Sequence, residues 1–159
     1  MLKKIFASVG EDCVIETPFF AAYSGINVHI GNSVYINFNL SLVDDGKITI
    51  GDNALIGPNV TIITTGHPVN PKLRGLLYVK DVNIGERAWI GAGAIILPGV
   101  TIGKNSVIGA GSVVTKDIPD NVVAVGNPCK VLRPINEKDE EFFYKDERID
   151  WENLDFVNK

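Results

Sequence analysis

The chain has 159 residues, 45% of them hydrophobic and 21% charged, with a formal net charge of -4. Length and make-up of this kind fit a single globular domain over residues 1–159, and the charge argues against a nucleic-acid surface. Cys13 and Cys129 stand far apart without metal-ligand spacing, the pattern of reduced thiols in the cytoplasm. The basic, apolar start Met1–Phe6 gives way to Ser8–Asp12 rather than to a long apolar run, so neither a signal peptide nor a membrane span is expected.

In chain order, residues 1 to about 10 read as the end of a short helix and Cys13 to Val28 as an irregular first coil, so residues 1–27 form an N-terminal cap. An aliphatic residue then recurs every six positions: Ile30, Ile36, Leu42; Ile50, Ile56, Ile62; and Ile84, Ile90, Ile96, Ile102, Ile108, Val114. Four places after each of the last six come Ala88, Ala94, Val100, Ser106, Ser112 and Ile118. This period is neither helical nor a hairpin alternation. If each unit makes one flat strand and one corner, three units close a triangular coil whose inward side chains stack on one another. The expected fold is therefore an all-β solenoid, a parallel β-helix over residues 28–128. Each buried Ile or Val contributes about 1.5–3 kcal/mol, and coils stack at about 4.8 Å.

The period breaks twice. Leu42 and Ile50 are eight apart, which makes Asp44-Asp45-Gly46 a two-residue insertion whose polar groups are expected to be extruded at a corner. Ile62 and Ile84 are twenty-two apart, so residues 64–80, with Gly66, His67 and Arg74, form an excursion loop. Excursions from a rigid scaffold tend to carry binding and catalytic groups. After Gly126-Asn127-Pro128 the pattern stops. In the tail, residues 129–159, the charges of Glu137 to Glu141 precede Phe142, Phe143 and Tyr144, which reads as a capped helix docking on the open end of the prism.

Several segments carry a resemblance: Asn37-Phe38-Asn39, Val43-Asp44-Asp45, Thr65-Gly66-His67-Pro68, Trp89-Ile90-Gly91, the run from Val107 to Pro119, and Gly126-Asn127-Pro128-Cys129. Together they resemble the left-handed β-helix acetyltransferases of the hexapeptide-repeat superfamily, nearest to the galactoside, maltose and nodulation-factor O-acetyltransferases, from about Phe6 to Asp146. The handedness comes from the resemblance, since ordinary parallel crossovers are right-handed. It implies a homotrimer with active sites between adjacent prisms, moving an acetyl group from acetyl-coenzyme A to the hydroxyl of a small-molecule acceptor without a metal.

A hydroxyl is a weak nucleophile at neutral pH and needs a base, a task that imidazole suits. The chain has two histidines. His29, one place before an anchor, reads as a surface or structural residue, whereas His67 matches the family's general base. Asn37 matches an asparagine facing the reacting centre, its other reading being a corner residue with left-handed φ. Tyr35 and Asp45 match positions that line the acceptor pocket, although Asp45 also fits a turn before Gly46. Ala92, Ala110, Thr115 and Lys116 match coenzyme A contacts. Lys116, Lys130 and Arg133 suit its phosphates, with Lys130 where relatives often have Arg. Trp89 is expected beside the coenzyme groove.

Two departures leave the acceptor open. The helical segment that usually precedes the first coil is not within the sequence, and Ala21-Ala22-Tyr23 has alanine where a polar contact to the sugar is expected. Leu76 and Leu77 are expected to face the acceptor's entrance. The leading reading is a sugar or glycoside hydroxyl; an antibiotic, serine or amino sugar, or a non-catalytic scaffold, are the alternatives. A β-helix carbonic anhydrase needs three histidines for its metal.

Overall fold

The computed structural model describes residues 5–152. Within them the chain winds as a parallel solenoid with three sheet faces, each coil giving one short strand to each face. The first coil is β1 (Ser8–Val9), β2 (Val14–Ile15) and β3 (Phe19–Ala21); the second is β4 (Val28–Ile30), β5 (Tyr35–Ile36) and β6 (Leu40–Val43). The third is β7 (Ile48–Ile50), β8 (Leu55–Ile56) and β9 (Thr61–Ile63), followed by a side hairpin of β10 (Thr65–Gly66) and β11 (Tyr78–Val79). Winding resumes with β12 (Val82–Ile84), β13 (Trp89–Ile90) and β14 (Ile95–Ile96), then β15 (Thr101–Ile102), β16 (Val107–Ile108) and β17 (Val113–Val114), and ends in β18 (Val122–Val125). The first and third faces are five-stranded, in the orders β1-β4-β7-β12-β15 and β17-β14-β9-β6-β3.

The registers reproduce the six-residue period. Ile30 pairs with Ile50, Ile50 with Ile84, and Ile84 with Ile102 on the first face. On the second, Ile36, Ile56, Ile90 and Ile108 are successive partners, and on the third Leu42, Ile62, Ile96 and Val114. All of these, together with Ala88, Ala94, Val100, Ser106, Ser112 and Ile118, are buried. The two interior serines are satisfied: Ser106 Oγ donates to the Pro119 carbonyl at 2.7 Å, and Ser112 Oγ accepts from Gly126 N at 3.0 Å.

Two corners are regular because their backbone has one solution. Between the first and second faces, Asp12, Ser33, Asn53, Arg87, Asn105 and Asn121 hold φ between 53° and 58°, the left-handed region where short polar residues and Asn are best tolerated. Gly85 opens this corner, and a Cβ there would sit 2.7 Å from Lys104 N of the next coil, so the coils close only on a bare backbone. Between the second and third faces the same role falls to Asn39, Asn59, Gly93 and Gly111. The corner between the third face and the first is irregular, and both breaks in the period fall on it.

Three expectations change. The coils start before residue 28: β1, β2 and β3 pair in parallel with β4, β5 and β6, and the expected helix end is a strand at Ser8–Val9. The helix expected over residues 1–4 lies outside the described residues. The insertion is not extruded. Asp44 is fully buried, its carboxylate accepting from Tyr23 N at 2.7 Å and Gly25 N at 3.0 Å, because the looped backbone from Ala22 to Gly25 needs acceptors that no strand supplies.

The C-terminal helical tail is not formed, and no α-helix occurs among the described residues. Instead β19 (Lys130–Pro134) runs antiparallel along β18 as the outer strand of the seven-stranded second face. A single 3-10 turn, Glu137–Glu140, then leads to the hairpin of β20 (Phe142–Tyr144) and β21 (Glu147–Arg148). Asn136 does cap that turn, but none of its residues is buried. With no buried residue and no apolar stripe to pack, nothing sustains a longer helix.

Removing the buried carboxylate strands two amides. Asp44→Ala is expected to lower stability by about 1–3 kcal/mol, measured by chemical denaturation, whereas Asp45→Ala stays within about 0.5 kcal/mol of the parent.

Candidate active site

The β10–β11 hairpin leaves the prism at the irregular corner. Its base is pinned by Thr64, whose Oγ1 donates to the Val43 carbonyl at 2.6 Å and accepts from Gly46 N at 2.8 Å, while its own carbonyl accepts from Lys80 N at 2.8 Å. Lys47 N donates to Asp81 Oδ1 at 3.0 Å on the far side. The Asp44–Gly46 insertion and the hairpin are therefore one built unit. A side chain on Gly66 would displace the Tyr78 ring lying across the opposite strand.

His67 follows at the end of β10, exposed. Its Nδ1 lies 2.7 Å from the Arg74 carbonyl and 3.1 Å from the Leu76 carbonyl. Carbonyls only accept, so Nδ1 carries the proton and donates it, and in the neutral ring the lone pair is then on Nε2. An imidazole held in this way is arranged to receive a proton at Nε2.

The other expected site residues fall on two further parts of the prism. Asn37 follows β5, Ala92 follows β13 and Ala110 follows β16, so all three stand on the corner between the second and third faces. The left-handed residue of that turn is Asn39, not Asn37. Asn37 Oδ1 accepts from Phe38 N at 2.8 Å, which leaves its amide NH2 to donate elsewhere. Ala92 and Ala110 are exposed, and the glycines after them, Gly93 and Gly111, border open space. Tyr35 and Trp89 lie on the adjoining second face, both partnered with Leu55 in register, and these three outward side chains are 36%, 53% and 47% exposed respectively.

Thr115 and Lys116 follow β17 and share the irregular corner with Asp45 and the His67 hairpin. Lys130 and Arg133 belong to β19, and Lys130 is exposed. Arg133 is already engaged: its Nη1 and Nη2 each donate to an Asp139 oxygen at 2.7 Å. This fork, with the Asn136 amide as a further donor, lowers the Asp139 carboxyl to about 2. At Ala21–Tyr23 the polar groups are backbone amides directed to the protein's own fold, Ala22 N to Leu42 O and Tyr23 N to Asp44. Among the described residues, no three His, Cys, Asp or Glu side chains gather as a metal site, and no helix is long and apolar enough to cross a membrane.

Sequence reasoning overlooked Asp44, Tyr78 and the two carbonyls that fix His67. The doubled aspartate in an insertion was a signal that one of the pair is structural. A glycine beside the histidine, with an aromatic on the returning strand, signalled close packing. The carbonyls left no trace in side-chain identity.

Residues 81–116 match the family of bacterial transferase hexapeptides (six repeats), and residues 47–69 the hexapeptide repeat of succinyl-transferase. The galactoside O-acetyltransferase of Lactococcus lactis subsp. lactis (strain IL1403) is 57% identical over 152 residues, 94% of this chain and 73% of the relative. The chain belongs to the hexapeptide-repeat acetyltransferases. Among solved structures, this acetyltransferase is similar to a galactoside acetyltransferase in complex with coenzyme A, at a TM-score of 0.91 and 54% identity over 93% of this chain and 74% of that one. It is also similar to a maltose O-acetyltransferase from Clostridium difficile 630, at a TM-score of 0.82 and 50% identity over 86% and 73% of the two chains.

The Arg133–Asp139 pair gives the acetyltransferase a pH signature. A depressed carboxyl stabilises the turn above the unfolded carboxyl range, and the contribution is lost as pH falls from about 4 through about 2. A carbon-detected NMR titration of Asp139 is expected to show the low midpoint in the parent and an ordinary one, about 3.9, in Arg133→Gln.

Proposed function

We propose that this chain moves an acetyl group from acetyl-coenzyme A to a hydroxyl of a sugar or glycoside, by direct attack on the thioester with His67 as general base. The observation that carries this reading is the pair of carbonyls at Nδ1 of His67, just past β10 on a pinned hairpin, which in the neutral ring leaves Nε2 to accept a proton. Acetyl-coenzyme A supplies an electrophilic thioester carbonyl. Nε2 takes the acceptor's proton as the hydroxyl oxygen adds to that carbonyl, and the two Nδ1 contacts hold the ring through its charged state. The free NH2 of Asn37 donates to the carbonyl oxygen as negative charge develops there. As the carbon–sulfur bond breaks, the imidazolium returns its proton to the departing thiolate.

The surface around these groups suits both substrates. Ala92 and Ala110 give the narrow pantetheine arm access to backbone amides, Trp89 flanks that path, Thr115 offers a hydroxyl, and Lys116 and Lys130 supply cations for the phosphates, with Arg133 joining them on release from Asp139. Asp45 and Tyr35 offer an acceptor and a hydroxyl to the sugar, with the exposed Leu76 and Leu77 at its approach.

We further infer a left-handed winding and a homotrimer. His67 springs from one corner of the prism and Asn37 from another, with the third face between them, and a six-residue side spans at most about 20 Å. A base and an oxyanion donor must meet within about 3 Å of one carbonyl. Setting the hairpin corner of one prism against the second face of its neighbour joins the two sets, and such a heterologous contact closes as a ring. The exposed apolar surfaces favour it: Val69 is 90% exposed on the loop, and Tyr35, Leu55 and Trp89 stand open on the second face. The two free cysteines, Cys13 and Cys129, are in keeping with a cytoplasmic location.

His67→Ala should lower turnover of acetyl-coenzyme A with a galactoside or maltoside by about 10²–10⁴, while light scattering still reports a trimer. Turnover within a few-fold of the parent would sink the base assignment, and a monomeric parent would sink the shared site.

A further inference from the structure

We propose that Arg74 is a positioning residue for His67, clamping the excursion loop so that the imidazole keeps its proton on Nδ1. The inference rests on the reading of His67 as the base. Arg74 holds the loop at two points. Its Nη2 donates to the Val69 carbonyl at 2.7 Å, two residues beyond His67, and its own carbonyl accepts from His67 Nδ1 at 2.7 Å. The side chain and the main chain of one residue thus grip both sides of the same short segment.

Nothing apolar performs this task. Every residue from Val69 to Lys80 is exposed, so no buried side chain fixes the path of the loop. What orders it is a chain of polar contacts. Asn70 caps the short 3-10 turn Pro71–Leu73, its Oδ1 accepting from Lys72 N at 3.0 Å and its carbonyl from Leu73 N at 3.0 Å. Leu76 N donates to the Leu73 carbonyl at 2.9 Å, and that turn brings the Leu76 carbonyl to within 3.1 Å of Nδ1. Besides the His67 ring itself, the side-chain link between this turn and the strand-proximal end of the loop, among the described residues, is the Arg74 guanidinium. Without it the two carbonyls keep their chemistry but lose their place.

The consequence is specific to the imidazole. A ring whose Nδ1 partners drift exchanges between its two neutral tautomers, and in the Nε2–H form it cannot accept the acceptor's proton. Displacements near 1 Å in a catalytic group cost about 10²-fold in rate. The guanidinium suits the clamp because its planar fork is pre-organised and always charged, whereas a lysine reaches the same carbonyl only as a flexible point charge.

The test uses the full chain labelled with nitrogen-15 histidine. With two histidines in the sequence, the spectrum holds two rings, and His67→Ala assigns the one of interest. At about pH 8.5, above the ordinary imidazole range, the parent is expected to show the Nδ1–H tautomer at His67. Arg74→Met, which keeps the stem and removes the donors, is expected to give averaged nitrogen shifts. Alongside, its kcat is expected to fall about 10–100-fold with KM for acetyl-coenzyme A changed less than about threefold. Arg74→Lys should recover part of both signals, and thermal unfolding should stay near the parent because the side chain is exposed. An unaltered Nδ1–H signature in Arg74→Met overturns the proposal, whether kcat falls or not. Failure of the base assignment itself shows separately, as retained turnover in His67→Ala.

Discussion

Closure of a parallel coil depends on what happens at its corners. Each turn must reverse direction by a third of a circle while every amide still reaches the carbonyl of the adjacent coil, and a left-handed residue or a bare glycine allows both at once. Two corners of this prism meet that demand in the same way from coil to coil, apart from the first coil, which turns from β2 to β3 without a left-handed residue. Their uniformity is what stacks Ile upon Ile through the interior, since a single added residue at either one would throw the next strand's side chains to the wrong side of the wall.

The third corner escapes the demand, and both departures from the six-residue period gather there. Between β9 and β12 the chain leaves for a whole hairpin and returns with Ile84 still paired to Ile50. The prism neither gains nor loses register from the excursion. A rigid lattice and a freely varied loop thus coexist because the loop's two ends are fastened locally, by Thr64 and by the Lys47–Asp81 contact, rather than by the loop's own packing. The acetyltransferase needs this arrangement. A base must be held to a fraction of an ångström, yet it must stand clear of the wall to meet two substrates.

The interior could be read from the sequence because each buried position repeats the same choice of aliphatic or small residue, and no distant contact is needed to infer it. The start of the solenoid could not. Phe19, Phe20 and Tyr23 break the aliphatic rhythm, although the backbone there already pairs in register with β6. The tail misled for the opposite reason: Asn136 and the acidic run carry a true cap, but a cap starts a helix only where an apolar face waits to continue it. Among the candidate site residues, His67 is singled out by the resemblance of Thr65-Gly66-His67-Pro68 to the family's motif. The grouping of Asp45 with the hairpin, and of Asn37 with Ala92 and Ala110, depended on which corner each occupied, a property of the winding rather than of local composition.

The reversal of direction at β19 has a meaning beyond covering one face. A solenoid is in principle open-ended: each coil is a template for another, and a fibre is the natural limit of such growth. The sixteen strands that precede β19 in the prism wall run parallel to their neighbours, but the chain then doubles back against β18, presenting a last strand that begins with Lys130, carries Arg133 and finishes with Pro134. An antiparallel edge studded with cations and ending in an imino acid is a poor mould for one more turn. The chain carries its own terminator, and the height of the prism is thereby written into the sequence.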